Sequence, residues 1–358
     1  MIWCILVIIM VAMVAWMIMP RSLSYAQFLD TGYEPDSLST PEPVDIVIPW
    51  VTTDDPEWLQ ERNEWAIKCG QSTLPANRHT DNGELRYVLR GIERNMPWVR
   101  HVVLLVHQHR DGTPQVPEWL DFANPRLRVV THPAIFPARD LPTFNSSAIE
   151  CHVHEIPGLS RLYLYGNDDV IVMRPTTLGD FMHPDGVLKV FLEGGNVPRT
   201  PHEKLNQHKR ALCKQNRLLD TVFGARERRY PRHVINLRNR ALEYEKRRML
   251  PHEWEKASAM RFRSEHDFCD NAFVHFHWCL ETGHGREAKT DSAYIAMGSK
   301  HPIRIPQQVP KHICFNDTRE NPHTPMALQN THAMHTYLQQ YLGTPSSFEK
   351  KPPNEKNQ

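Results

Sequence analysis

The chain has 358 residues, with 42 Lys plus Arg against 41 Asp plus Glu and a formal net charge of +1. Such a balance lacks the basic footprint of a bulk nucleic-acid binder, so nucleic acid is not expected as a partner. Hydrophobic residues at 40% and charged residues at 23% suit a folded protein with a sizeable core, and 29 prolines argue against many long helices.

Residues Ile2 to Met19 form an uncharged apolar run that Pro20-Arg21 ends. A run of that length can cross a bilayer core of roughly 30 Å. Only Met1 precedes it, and bulky Met17, Ile18 and Met19 close it. It therefore reads as an uncleaved transmembrane anchor over 1–20, since a signal peptide needs a basic start and a small-residue cleavage site. Arg21 alone would pull the following flank to the cytosol. Residues 21–43 are rich in Ser, Thr, Pro and acid and read as a stem. Asp45-Ile-Val-Ile-Pro-Trp50 has the pattern of a buried strand. Asp55 before Pro56 predicts a capped helix running to Gly70. A second helix should open near Asn82, because Leu85, Val88, Leu89 and Ile92 recur at helical spacing. Strands are expected at 102–106, 127–131 and 162–165, with a helix at 146–155. This alternation predicts an α/β core over 44–198 with a mainly parallel sheet. Lys, Arg and His dominate from His202 to Arg248. Helices are expected over 236–248, 268–281 and 326–342, the last stopped by Gly343 and Pro345, so 199–349 forms a more helical part. The charged residues from Lys350 onward read as a disordered tail.

Asn167-Asp168-Asp169 directly follows the strand at 162–165. Ligands of open α/β sheets collect at the carboxyl ends of strands, where two adjacent carboxylates can hold Mg²⁺ or Mn²⁺ against a diphosphate. A solvated turn is the plainer alternative. Asp55 lies past the first strand and Asp45 begins it, so Asp55 is better placed near a ligand, although it can simply cap its helix. Arg86 with Arg90, and Arg261 with Arg263, could clamp phosphate or face solvent. Histidine pairs recur at His107/His109, His152/His154 and His275/His277. No His-Glu-x-x-His occurs, and the last two pairs fall in expected helices where i and i+2 diverge, which disfavours a zinc hydrolase. Six cysteines follow the expected anchor without a Cys-x-x-Cys pair, a number that suits disulfides or free buried thiols. Glycosylation triplets stand at Asn145-Ser-Ser and Asn316-Asp-Thr.

Four blocks in order resemble the Stealth family of hexose-1-phosphate transferases. The first is Val44-Asp-Ile-Val-Ile-Pro-Trp-Val-Thr-Thr-Asp-Asp-Pro-Glu-Trp58. The second comprises Asn82-Gly-Glu-Leu-Arg-Tyr-Val-Leu-Arg90, Met96-Pro-Trp-Val-Arg100, Pro117-Glu-Trp-Leu120, Leu141-Pro-Thr-Phe-Asn-Ser-Ser-Ala-Ile-Glu150 and Asn167-Asp-Asp169. The third is Arg232-His233 with Arg261-Phe-Arg-Ser-Glu-His-Asp267. The last is Lys311-His-Ile-Cys-Phe-Asn-Asp317 with Pro345-Ser-Ser-Phe-Glu349. Two departures stand out: Thr52-Thr53 where the family has Asp or Asn then Gly, and Ile235 where it has proline.

The resemblance implies a Rossmann-like, nucleotide-sugar transferase fold over 44–349. It implies transfer of a sugar-1-phosphate from a nucleotide-sugar of the UDP-N-acetylglucosamine or GDP-mannose type to a glycan or glycoprotein hydroxyl, with release of a nucleoside monophosphate. Asp55, His233 and Arg263 match family catalytic positions, and Asp168 and Asp169 become the expected Mg²⁺ or Mn²⁺ ligands. Asp45, Trp50, Arg86, Arg90, Thr143, Asn145, Ser146, Glu150, Asn167 and Asp267 are the candidate substrate-binding residues of the matching blocks. Anchor, stem and family together imply a single-pass Golgi membrane protein with a lumenal body, and leave room for a homo-oligomer. The competing expectation is an inactive, membrane-anchored glycan binder of the same fold, with Trp50, Trp98 and Trp119 as sugar platforms.

Overall fold

The computed structural model describes residues 42–73, 81–317, 319 and 321–351. The expected anchor, the stem apart from residues 42 and 43, and the tail beyond 351 lie outside the described residues. Among the described residues no helix is long and apolar enough to cross a membrane.

Strand β1 (Asp45–Trp50) is buried along nearly its whole length, which suits the centre of a parallel sheet covered on both faces. Helix α1 (Pro56–Lys68) starts where Asp55 accepts the backbone N–H groups of Glu57 and Trp58. Helix α2 (Glu84–Asn95) turns Leu85, Val88, Leu89 and Ile92 inward, each with no exposure. Strands β2 (Val102–Val106) and β3 (Leu127–Thr131) follow, then α3 (Ser146–His152), capped by Asn145, and β4 (Leu162–Tyr165). The second half adds β5 (Val170–Val172), β6 (Leu188–Val190), β7 (Leu192–Asn196), α4 (Gln207–Phe223), β8 (Arg229–Pro231), β9 (Asn236–Asn239), α5 (Arg240–Met249) and α6 (Pro251–Ser258). It ends with α7 (His275–Glu281), β10 (Gly285–Glu287), β11 (Ser292–Ala296), β12 (His312–Asn316) and α8 (Pro325–Leu342).

The main sheet has the order β3-β2-β1-β4-β9. The first four strands are parallel and β9 is antiparallel to β4. The chain steps outward from β1 through β2 and β3, then returns to place β4 on the other side of β1. A crevice opens at the carboxyl ends where the order reverses. A smaller sheet, β11-β12-β5, borders that crevice, with β12 antiparallel to β5. Helix α2 lies against β5 at Gly91, where a methyl group would come within 2.6 Å of the Val172 carbonyl oxygen. Only glycine permits so close an approach.

The helical half has its own core around Trp254, Phe268, Phe273 and Trp278. Beside it lies a buried ion network. Arg238 Nη1 meets Asp270 Oδ2 at 2.7 Å, and Lys246 Nζ meets Glu243 Oε2 at 2.7 Å, all four residues at most 1% exposed. This network accounts for two departures from expectation. Residues 236–239 form a strand and not the start of a helix, because Arg238 must lie extended beside β4 to reach Asp270. Residues 270–274 form a wide π turn before α7 begins, with Asp270 held by Arg238 and Lys246. One open alternative narrows and one boundary moves. The six described cysteines are free, five of them buried. Lys350, read as the start of the tail, is part of the body, since its backbone N–H donates to the Trp119 carbonyl at 2.8 Å.

Candidate active site

The carboxyl ends of β1 and β4 open into a cleft of about 650 Å³. Trp50 and Val51 reach it from β1, Asn167, Asp168 and Asp169 from β4, and Asn316 and Asp317 from the end of β12. The first turn of α2 brings Glu84 with Asp81 before it, while α3 brings Ser146 and Glu150. Arg263 enters from the loop after α6.

One corner is rich in carboxylates. Asp169 Oδ2 accepts from Asn316 Nδ2 at 3.3 Å and from Cys314 Sγ at 3.5 Å. Its Oδ1 is buried without a hydrogen-bond partner. Burial pushes the Asp169 carboxyl up, against the opposing charge of His233. Asp168 is pushed well above the usual carboxylate range by burial and then by Asp169, Asp81 and Glu84. Burial and the neighbouring Asp81 push Glu84 up to about 8, and burial raises Asp81. Crowded carboxylates with an orphaned buried oxygen suit a hard divalent cation, which takes oxygen ligands and offsets their repulsion. Asp168 and Asp169 are the residues that fit it. Among the described residues no group of three or more His, Cys, Asp or Glu forms a ready-made metal cage, so substrate oxygens and water would complete the coordination.

The opposite wall is built for an anion. Arg263 Nε donates to Ser146 Oγ at 3.0 Å, and its carbonyl accepts from Gln207 Nε2 at 3.0 Å. Burial pushes the Glu150 carboxyl up to about 7, with the Arg263 and Arg238 charges opposing. Tyr165 OH donates to Glu150 Oε1 at 3.4 Å, and the Asn271 backbone also bonds it.

Of the residues expected at the site, Trp50, Thr143, Ser146, Glu150, Asn167, Asp168, Asp169 and Arg263 line this cleft. Asn145 and Asp267 sit just behind it. Asn145 Nδ2 donates to Asp267 Oδ1 at 3.1 Å, and Asp267 Oδ1 also accepts the Ser264 N–H, so the pair fixes the loop that carries Arg263. Asp45 is at the wrong end of β1. It is fully buried, bound by Arg100 at 2.6 Å and by the Ser160 N–H at 2.9 Å, and secures the sheet. Neither Arg86 nor Arg90 lines the cleft; Arg90 is buried, and Arg86 keeps 40% of its side chain exposed. Arg90 pairs with Glu349 at 2.7 Å and donates to the Leu342 carbonyl, and Arg86 stacks over Trp119 at 4.8 Å.

Asp55 and His233 do not line the cleft. One Asp55 oxygen caps α1, and the other meets Gln115 Nε2 and His109 Nε2, each at 3.0 Å. Gln115 also donates to the Thr52 carbonyl, so Asp55 steadies the loop after β1. His233 is exposed and packs on Tyr294 with ring centroids 4.9 Å apart, near enough to Asp169 for its charge to favour the carboxylate.

Asp81, Glu84 and Asp317 were missed as site residues. All three stand inside or next to the matching blocks, but an acid before a helix or after a strand reads locally as a cap or turn. Arg319 ties Asp317 to the turn before α2: it donates to Asp317 Oδ1 at 2.8 Å and to Asn82 Oδ1 at 2.7 Å. Asn145 is 1% exposed, and the Asn316 amide donates to Asp169 inside the cleft, so neither triplet presents a free asparagine.

The family model described as Stealth protein CR2, conserved region 2, matches residues 78–190. An exopolysaccharide phosphotransferase of Streptomyces coelicolor is 36% identical over 318 residues, covering 86% of this chain and 53% of its own length. The capsular polysaccharide phosphotransferase SacB of Neisseria meningitidis serogroup A is 24% identical over 339 residues, covering 91% of this chain and 60% of its own. The chain thus spans somewhat more than half the length of these two curated relatives. Among solved structures, the galactosyltransferase LgtC in complex with donor and acceptor sugar analogs overlaps 87% of this chain and 98% of its own, at 12% identity and a TM-score of 0.42.

Proposed function

Because the chain belongs to the Stealth family, we propose that it transfers a sugar-1-phosphate from a nucleotide-sugar to a glycan hydroxyl. A phosphodiester forms and a nucleoside monophosphate leaves. The relatives named as polysaccharide phosphotransferases support this class of chemistry. The observation that carries it is one cleft with a carboxylate corner at Asp168 and Asp169 and a guanidinium wall at Arg263. That pairing suits a diphosphate, whose charge must be met by both a cation and fixed donors.

A Mg²⁺ or Mn²⁺ ion held by Asp168 and Asp169 would neutralise charge on the leaving nucleotide. Arg263, steadied by Ser146, binds the phosphoryl oxygens and balances charge at the reacting phosphorus. Glu150 takes the acceptor proton, since a carboxyl near 7 is suited to accept one at neutral pH. Tyr165 and Asn271 hold that carboxylate in place. The acceptor oxygen bonds to phosphorus as the phosphorus–oxygen bond to the nucleoside monophosphate breaks. The anomeric bond is untouched, so its configuration is retained. In this reading Asp55 and His233 act through others: Asp55 fixes the loop after β1, and the His233 charge opposes the rise that burial imposes on the Asp169 carboxyl.

The test incubates the protein with UDP-N-acetylglucosamine, GDP-mannose and related donors, Mn²⁺ and a glycan acceptor. UMP or GMP is the expected product. Release of UDP or GDP overturns the proposal in favour of ordinary glycosyl transfer. Glycan binding without nucleotide release supports the inactive binder.

A further inference from the structure

A second hollow of about 270 Å³ lies between α4 and α6. Its lining includes Lys214, Gln215 and Arg217 from α4, Glu253 and Lys256 from α6, and His266. Cationic groups therefore outnumber the single carboxylate of Glu253. Lys214 is already paired with Glu265 at 3.0 Å, whereas Arg217 and Lys256 are exposed and make no ion pair among the described residues. The charge bias extends along the helix: residues 207–217 carry Lys209, Arg210, Lys214 and Arg217 and no acid.

Gln215 gives the hollow a second kind of chemistry. It is 4% exposed, its Nε2 donates to the Asp267 carbonyl at 2.9 Å, and its Oε1 is buried with no partner. A buried acceptor left unpaired is costly, so the site suits a ligand that brings a hydroxyl donor. Cations for an anion beside an acceptor for a hydroxyl describe a charged sugar.

The hollow and the cleft share one helix, α4. Gln207, at the start of α4, lines the cleft and holds the Arg263 carbonyl, while Arg217 lies further along the same helix, about 15 Å at the usual helical rise. The segment after Arg263 runs alongside to His266. We infer that this hollow is a subsite for the acceptor, binding an anionic glycan whose growing end lies in the cleft. The inference rests on the transfer reading, under which each turnover adds one phosphodiester, and with it one negative charge, to the acceptor.

The test compares a phosphorylated dextran oligosaccharide, its unphosphorylated parent and inorganic polyphosphate of equal charge, by titration against the full chain. Phosphorylated dextran should bind tightest and weaken with salt. The double variant Arg217→Glu with Lys256→Glu should lose about tenfold in affinity for it, the scale of two exposed charge contacts reversed. The charge-keeping variant Arg217→Lys with Lys256→Arg should retain binding. Unchanged affinity in the reversed variant, or equal binding of polyphosphate, overturns the subsite. Nucleoside monophosphate release is measured separately and tests the transfer reading alone, so the two failures are distinguishable.

Discussion

Burial lifts the Glu150 carboxyl from its ordinary 4.5 to about 7, and this sets catalysis against stability at one residue. An acid whose pKa is higher folded than unfolded binds its proton more tightly in the folded state. Its contribution to stability is therefore present at acid pH and is lost as pH rises from the unfolded value through about 7. Glu150→Gln should raise the melting temperature at pH 8 and change it little at pH 5. The same variant should cut turnover on the order of 10²-fold, the lower range for a lost general base. Thermal melts at the two pH values, with nucleoside monophosphate release alongside, check both halves. Full turnover in this variant removes Glu150 from proton transfer.

Asp169 makes the companion case. Its unpaired Oδ1 predicts that Mn²⁺ raises the melting temperature of the wild type, by preferential binding to the folded state, and leaves Asp169→Asn nearly unmoved. An equal rise in both proteins would place the ion elsewhere. Asp168 and Asp169 could be read from sequence because they directly follow an apolar strand. Asp81 and Glu84 could not, since what makes them site residues is the distant Asp317 and Arg319 folding against the turn at Asn82 between them.

At the scale of elements, α2 shows how far a local pattern reaches. The periodicity of Leu85, Val88, Leu89 and Ile92 correctly gave the buried face. It also set Arg86 and Arg90 on one opposite face, yet could not show that residues 342–349 cover that face. Arg90 and Glu349 are each at most 9% exposed at the side chain. Arg90→Ala should therefore cost about 3 kcal/mol, the penalty for stranding one half of a buried pair, measured by urea unfolding. The Michaelis constant for the donor should be unchanged, whereas a phosphate-clamping arginine would raise it. The strand at 236–239 was misread for a related reason. Asn239 and the charged residues beyond it look like a capped helix, and only the buried partners of Arg238 pull the preceding residues into extended form.

The whole molecule divides its labour between a regular sheet and a less regular surround. The alternation of apolar runs and helical stretches made the parallel core over 44–165 readable, because a parallel sheet covered on both faces writes continuous apolar strands. Strand order was beyond reach: nothing local to β4 says that it joins β1 on the side away from β2. The short strands β5, β6 and β8 were missed as well, since three residues carry too little periodicity to stand out.

The pairing of β5 with β12 has a consequence for biosynthesis. The five-stranded sheet has all its strands once residue 239 has left the ribosome, but the strand that completes the wall beside Asp169 emerges only near residue 312. For that interval β5 offers a bare hydrogen-bonding edge next to clustered negative charge. A nascent chain halted there has its crevice framed but unfinished, and is vulnerable to pairing with a neighbouring polypeptide.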